Sequence, residues 1–164
     1  MLYDILRIFI TPFIYMYMLL NKEKKEFFYK RINQNLDILK KEEYIWVHCS
    51  SVGEVNLSEA LVKKILSERK ERVLLTVMTD TGMRTAKDKY KDNSRVDILY
   101  FPLDNRKIIR SILEKIEMKI LILIETEIWP NLIHESHKKG KVIIVNGRIS
   151  DRSYVRYKKL NFYL

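Results

Sequence analysis

Five short apolar runs constrain this chain more than any other feature: YIWVHC (44–49), RVLLTV (72–77), VDILY (96–100), KILILI (119–124) and VIIVN (142–146). Each is of strand length. Each is continuous rather than alternating, as expected of strands covered on both faces in a parallel sheet. The segments between them carry helical spacing. Val55, Leu61, Val62, Ile65 and Leu66 share one face of a helix over 54–68. Residues 82–91 read as a basic helix, and 105–116 as a helix turning Ile108, Ile109, Ile112, Leu113 and Ile116 inward. A short helix over 130–139 follows, and the tail from Ser150 reads as helical. Regular strand–helix alternation predicts an α/β domain with a doubly wound parallel sheet. The 164 residues suit one such domain, and a hydrophobic share of 47% suffices for its core.

In a sheet of this kind ligands bind beyond the carboxyl ends of the strands. The residues expected there are Ser50, Ser51, Gly53 and Glu54, then Thr79, Asp80, Thr81 and Gly82, then Pro102 and Asp104, then Glu125 and Glu127, then Asn146, Gly147 and Arg148. Polar and small residues thus collect on one edge. Glu54 falls at a helix start, where the macrodipole and free N–H groups favour an ionised carboxylate. Such a group is either an ordinary stabilising charge or a base. Gly53 beside it lets another molecule approach the backbone. Glu125 and Glu127 flank a threonine after the most apolar run, and Pro130 is well placed to open the next helix. Two carboxylates at such an edge invite a functional role, or hold a nearby cation such as Arg148.

Other patterns carry less. Asp80-Thr81-Gly82 matches the aspartic-protease triplet, but those enzymes are all-β and pair two such aspartates, so a strand-to-helix loop is the better account. His134, Glu135 and His137 lack a third ligand of fixed position, and no metal site is expected. Cys49 is the single cysteine, which excludes an internal disulfide and reads as a small buried group. No nucleophile elbow, Walker loop or dinucleotide fingerprint is present.

The net charge of +10 implies anionic partners. No recognition motif for nucleic acid accompanies it, and nucleic acid is not expected as a partner. Residues 1–20, MLYDILRIFITPFIYMYMLL, are apolar apart from Asp4 and Arg7. The basic-aromatic stretch NKEKKEFFYKR follows. Together, residues 1–31 read as a membrane anchor with a basic flank suited to anionic phospholipid, either as a short span or as an interfacial helix. A buried core helix is the competing reading of the apolar run.

HCSSVGEV (48–55), TDTG (79–82), YFPLD (100–104), ETEIWPNLI (125–133) and NGRISDRS (146–153) occur in an order and spacing that resemble one family. It is the 3-deoxy-D-manno-octulosonic acid (Kdo) transferases. Departures are Cys49 and Gly147, where alanine is usual. The resemblance implies the N-terminal, Rossmann-like domain of a glycosyltransferase B fold over 32–164, on the acceptor-binding side. It implies inverting transfer of Kdo from CMP-Kdo to the lipid A precursor in lipopolysaccharide biosynthesis, at the cytoplasmic face of the inner membrane. No cofactor is implied beyond the donor substrate. Glu54 maps onto the family's proposed general base. Ser51, Gly53, Thr79, Thr81, Gly82, Glu125, Glu127 and Arg148 map onto substrate-binding positions. The nucleotide-sugar domain is absent from 1–164, so this chain is expected to be inactive alone, and a separately encoded C-terminal half is an expected partner. A non-catalytic, membrane-associated module for anionic lipid headgroups is the alternative.

Overall fold

The computed structural model describes residues 22–148. The expected anchor helix over 1–20 and the helical tail from Ser150 lie outside the described residues. Among those residues, no helix is long and apolar enough to cross a membrane. The chain forms two compact units, 1–35 and 36–164.

The described part of the first unit is helix α1, Lys22–Ile32. Its basic and aromatic residues engage one another. The Arg31 guanidinium lies 3.4 Å from the Phe27 ring centroid, and Phe27 meets Phe28 edge-on at 5.4 Å. Lys30 pairs with Glu26 one turn back at 2.7 Å. Tyr29 and Ile32 are exposed.

The second unit is the α/β domain. Its elements run β1 (Glu43–Cys49), α2 (Val52–Glu68), β2 (Arg72–Val77), α3 (Asp80–Tyr90), β3 (Val96–Tyr100), α4 (Arg106–Lys115), β4 (Glu117–Ile124), α5 (Pro130–His137) and β5 (Lys141–Val145). The strands form one sheet in the order β3-β2-β1-β4-β5, and every neighbouring pair is parallel. The chain winds outward from β1 through β2 to β3, then returns and winds the other way through β4 to β5. Neighbouring β1 and β4 therefore mark the topological switch point, where a crevice opens beyond the strand ends.

Strand parity distributes the core over both faces. Tyr44, Trp46, Leu74, Leu121 and Leu123 join Ile109, Ile112 and Leu113 of α4 and Leu132 of α5 on one side. Ile45, Val47, Cys49, Val73, Leu75, Val77 and Ile122 join Val55, Val62 and Ile65 of α2 and Ala86 and Tyr90 of α3 on the other. Hence the strands read as unbroken apolar runs. β5 departs from that expectation: as the edge strand it leaves Ile143, Ile144 and Val145 exposed.

Two packing details fix the edges of this frame. The β1–β4 register shifts between Tyr44 and Ile45. Just before β5, Gly140 presses on the main chain of the same stretch: a Cβ there would lie 2.3 Å from the Lys119 carbonyl oxygen. At the opposite edge, buried Arg72 donates to Tyr44 Oη and to Asp97, tying β1, β2 and β3 together near their amino ends.

Candidate functional site

Hydrogen-bonding residues set the helix starts two residues earlier than apolar spacing suggests. Ser51 is the N-cap of α2, its Oγ accepting from Glu54 N–H at 3.4 Å. Thr79 caps α3 through Gly82 N–H at 3.1 Å. These two starts lie side by side. Thr79 N–H donates to the Ser50 carbonyl at 3.2 Å, and a Cβ on Gly82 would come within 3.3 Å of the Ser51 carbonyl carbon and 2.6 Å of Val77 Cγ1. Gly82 is therefore glycine for packing within the chain. Gly53 differs: a Cβ there meets only Ser51 Oγ, at 3.6 Å. Nothing inside the described chain requires glycine at 53.

Glu54 occupies the third position of α2 and is buried. Its carboxylate folds back on the strand end, accepting from Ser50 N–H at 2.5 Å and from Ser51 Oγ–H at 3.1 Å. With the Ser51 cap this is a variant of the reciprocal capping box, shifted one residue upstream on the carboxylate side. Burial raises the Glu54 carboxyl above the ordinary glutamate range. The bonds from Ser50 and Ser51 oppose that rise, and the charges of Glu127 and Glu125 add to it. The helix-start argument alone points the other way. Burial and two neighbouring carboxylates outweigh it, leaving a more basic carboxylate than a solvated one.

Glu125 and Glu127 come from the end of β4, across the switch point. Glu125 is exposed and adopts φ 62, a conformation uncommon for a residue with a side chain. Its N–H extends the ladder to the Val145 carbonyl at 2.8 Å. At the end of β5, Asn146 also has positive φ, 57. Both strand tips thus turn sharply at the same edge, a form of strain that collects at functional sites. Glu127 is half-buried. Its Oε2 accepts from Trp129 Nε1–H at 2.8 Å and lies 3.9 Å from His48 Nε2. The His48 ring holds Glu127 below the ordinary glutamate range, with help from Trp129 and Ser50 and against partial burial. Two neighbouring carboxylates are thereby pushed apart, Glu54 upward and Glu127 downward. Of the two, Glu54 is the more readily protonated and Glu127 the more readily ionised.

The expected Arg148–glutamate pair is not formed. Arg148 is exposed, and its main chain is held instead: its N–H donates to Thr126 Oγ1 at 3.1 Å, and that hydroxyl donates to its carbonyl. Glu127 already has closer neighbours in Ser50, His48 and Trp129. Thr81 is exposed at the start of α3, and its hydroxyl lies 3.4 Å from that of Thr79. The structure thus brings Ser51, Glu54, Glu125 and Glu127 into one electrostatic cluster. Thr79 and Gly82 serve the adjoining helix start.

Sequence reading left His48 and Thr76 out of this edge, and placed Asp104 there without its role. His48 is fully buried at the end of β1, its Nδ1 3.0 Å from Thr76 Oγ1, which also accepts from Trp46 Nε1–H at 2.9 Å. Polar His48 and Thr76 interrupt otherwise apolar runs, and that interruption was the available signal. Asp104 is buried and serves a helix remote in sequence. Its carboxylate accepts from Asn131 N–H at 3.1 Å and Leu132 N–H at 2.8 Å, capping α5, whose own N-cap position is held by Trp129. Asn131 Nδ2 donates back to the Asp104 carbonyl at 2.9 Å. The YFPLD and WPN motifs therefore lock together, which fixes where α5 begins after Glu125 and Glu127.

Other polar groups are already engaged. Cys49 is buried, and burial pushes its thiol up to about 12, so it is no nucleophile. Glu135 lies between Arg110 at 2.9 Å, Arg106 at 2.9 Å and Lys138 at 3.2 Å. A shallow pocket beside it, lined by Arg110, Leu113 and Lys138, belongs to this paired cluster and not to the switch point. Among the described residues no group of three His, Cys, Asp or Glu is placed to hold a metal ion.

Known proteins resemble this chain in sequence. The family model described as 3-deoxy-D-manno-octulosonic-acid transferase (kdotransferase) matches residues 23–164. A bifunctional glycosyltransferase/methyltransferase of Fusobacterium nucleatum is 57% identical over 145 residues, 87% of this chain and 23% of that protein. The 3-deoxy-D-manno-octulosonic acid transferase of Haemophilus influenzae is 34% identical over 122 residues, 73% of this chain and 28% of that protein. That of Chlamydia trachomatis serovar D is 32% identical over 115 residues, 69% of this chain and 26% of that protein. The chain thus spans roughly a quarter of the length of these relatives. A switch-point glutamate cluster on a doubly wound sheet, carrying a family match from Glu23 to the last residue, leads to one conclusion: the chain belongs to the 3-deoxy-D-manno-octulosonic-acid transferase family.

Proposed function

We propose that this chain forms the acceptor-binding part of an enzyme that transfers Kdo from CMP-Kdo to the lipid A precursor in lipopolysaccharide biosynthesis. The observation that carries this reading is Glu54: a buried carboxylate made more basic by its surroundings, at the switch point, beside a carboxylate held ionised. In the proposed step an acceptor hydroxyl lies against Glu54 with Gly53 leaving room for its approach. The hydroxyl proton passes to Glu54 as the oxygen bonds to the anomeric carbon. The bond from that carbon to the CMP phosphate oxygen breaks on the opposite face, giving inversion, and CMP departs. A positioned base of this kind supplies typically 10²–10⁴-fold. Glu127 remains ionised beside it and sustains its basicity. Ser51, Thr81, Glu125 and Arg148 are proposed to contact substrate at the rim.

Stabilising the departing phosphate calls for cations or a helix start. We assign that task to a nucleotide-binding half outside this chain, so 1–164 alone is proposed to lack turnover. Residues 1–31 are proposed to hold the domain at the cytoplasmic face of the inner membrane by binding anionic phospholipid. A module for anionic headgroups without catalysis fits less well, because the switch-point cluster gathers carboxylates.

The test joins 1–164 to a nucleotide-binding half and measures Kdo transfer. Glu54→Gln keeps the shape but cannot accept the proton, so turnover should fall roughly 10²–10⁴-fold, about 3–5 kcal/mol in barrier, with acceptor binding little changed. Near-parental turnover by the variant would remove Glu54 from the chemistry. Turnover by 1–164 alone would contradict the proposed division of labour.

A further inference from the structure

β1 buries one polar side chain that the chemistry above leaves without a role. The His48 ring packs against Phe101, with centroids 4.4 Å apart, and is closed to solvent. Among the described residues its Nε2 has no hydrogen-bond partner, yet it lies 3.9 Å from Glu127 Oε2. A buried polar atom left without a partner ordinarily costs stability, and one in a native fold calls for a reason.

The ring's other nitrogen supplies the reason. Trp46 Nε1–H is a donor only, and it already uses one lone pair of Thr76 Oγ1. If the Thr76 hydroxyl donates its hydrogen to His48 Nδ1, all three groups are satisfied, and the ring hydrogen must sit on Nε2. With the hydrogen on Nδ1 instead, Thr76 would accept two N–H donors, its own hydrogen would lack that partner, and an Nε2 lone pair would face a carboxylate. We propose that the buried Trp46–Thr76–His48 chain fixes His48 as the Nε2–H tautomer and makes it the positioning residue that directs Glu127 toward Glu54. The role in transfer rests on the transferase reading above; the tautomer and the coupling to Glu127 do not. The gap exceeds a hydrogen bond by about 1 Å, and catalytic contacts in unliganded sites commonly tighten on binding. The groups acting on Glu127 are His48 from β1, Ser50 from the loop after it, and Trp129. The nearby charge from α2 is Glu54.

The experiment uses 1–164 with nitrogen-15-labelled histidine and carbon-13-labelled glutamate, with no donor or acceptor present. The imidazole nitrogen shifts should place the His48 hydrogen on Nε2 and not on Nδ1, and Glu127→Gln should move the Nε2–H resonance while Glu125→Gln leaves it in place. His48→Gln keeps a donor where Nε2 stood, and His48→Asn does not. The Glu127 carboxylate should therefore keep its lowered titration midpoint in the Gln variant and rise in the Asn variant, with both variants checked for native fold by circular dichroism. A ring protonated at Nδ1 or at both nitrogens, or an Nε2–H resonance indifferent to Glu127→Gln, would overturn the proposal. So would equal Glu127 midpoints in the two folded His48 variants. Failure of the transferase reading would look different: no Kdo transfer by the joined enzyme, with this coupling intact.

Discussion

Two buried glutamates on the two faces of one sheet have opposite surroundings. Glu135 on α5 meets Arg106, Arg110 and Lys138, and the Arg110 guanidinium holds its carboxyl down at about 2. Glu54 on α2 receives, among the described residues, only an N–H and a hydroxyl, and burial raises it. The first carboxylate is neutralised by its neighbours and clamps α4 to α5. The second is left as the more basic group, beside further negative charge. Lone buried charge without a cation is costly in a fold and useful in a base. Position agrees with environment: Glu54 stands at the switch point, and Glu135 does not.

The largest test of that contrast exchanges one carboxylate at a time. Glu54→Gln should remove roughly 10²–10⁴ of turnover in the joined enzyme. It should melt no lower than the parent at neutral pH, because a group with a raised folded pKa weakens stability once ionised. Glu135→Gln should do the reverse, leaving turnover near parental and costing about 1–3 kcal/mol by denaturant unfolding. Its cations are partly exposed, which keeps the cost from being larger. A variant pair that loses activity and stability together would erase the distinction.

The glycines at the two neighbouring helix starts sharpen it next. Gly82→Ala forces a Cβ to 2.6 Å from Val77 Cγ1 and should cost about 1–3 kcal/mol in urea unfolding. Gly53→Ala meets no such obstacle and should be neutral or up to about 1 kcal/mol stabilising, since alanine suits a helix better. If Gly53 is glycine for an incoming acceptor, the same variant should raise KM for it. Unchanged acceptor binding would make Gly53 incidental.

The pH dependence of stability gives the smallest and most distinctive effect. The depressed Glu135 contributes stability that is complete above the ordinary glutamate value, near 4.5, and is lost as pH falls toward about 2. Glu54 has the opposite sign: its penalty appears as pH rises through its raised folded value. Melting temperature followed from pH 7 to pH 2 should fall less for Glu135→Gln than for the parent. Parallel curves would show that Glu135 is not held by its cations.

Much of this was legible in the sequence, for identifiable reasons. Continuous apolar runs gave the strands within a few residues, because both faces of β1, β2 and most of β4 are covered. Glu54 was legible because small polar residues follow β1 directly. Local pattern could not show that Asp104 caps a helix 27 residues further on, since that bond exists only after α4 and α5 pack. Nor could it show the environment of Glu54. A helix start favours ionisation, but burial and the arrival of Glu125 and Glu127 from β4 are tertiary effects, and they reverse the sign. The Arg148 pairing failed similarly: Thr126 claims the arginine's main chain, and Glu127 is claimed by His48 and Trp129.

The most direct test follows the carboxylate carbons of Glu54 and Glu135 in one labelled sample of 1–164 as pH is varied. Glu135 should titrate near 2, and Glu54 above the ordinary glutamate value. Glu127→Gln should bring the Glu54 midpoint down, because it removes one of the charges that raises it. A Glu54 midpoint at or below that of a solvated glutamate, unmoved by Glu127→Gln, would contradict the account and leave Glu54 as an ordinary helix-start charge.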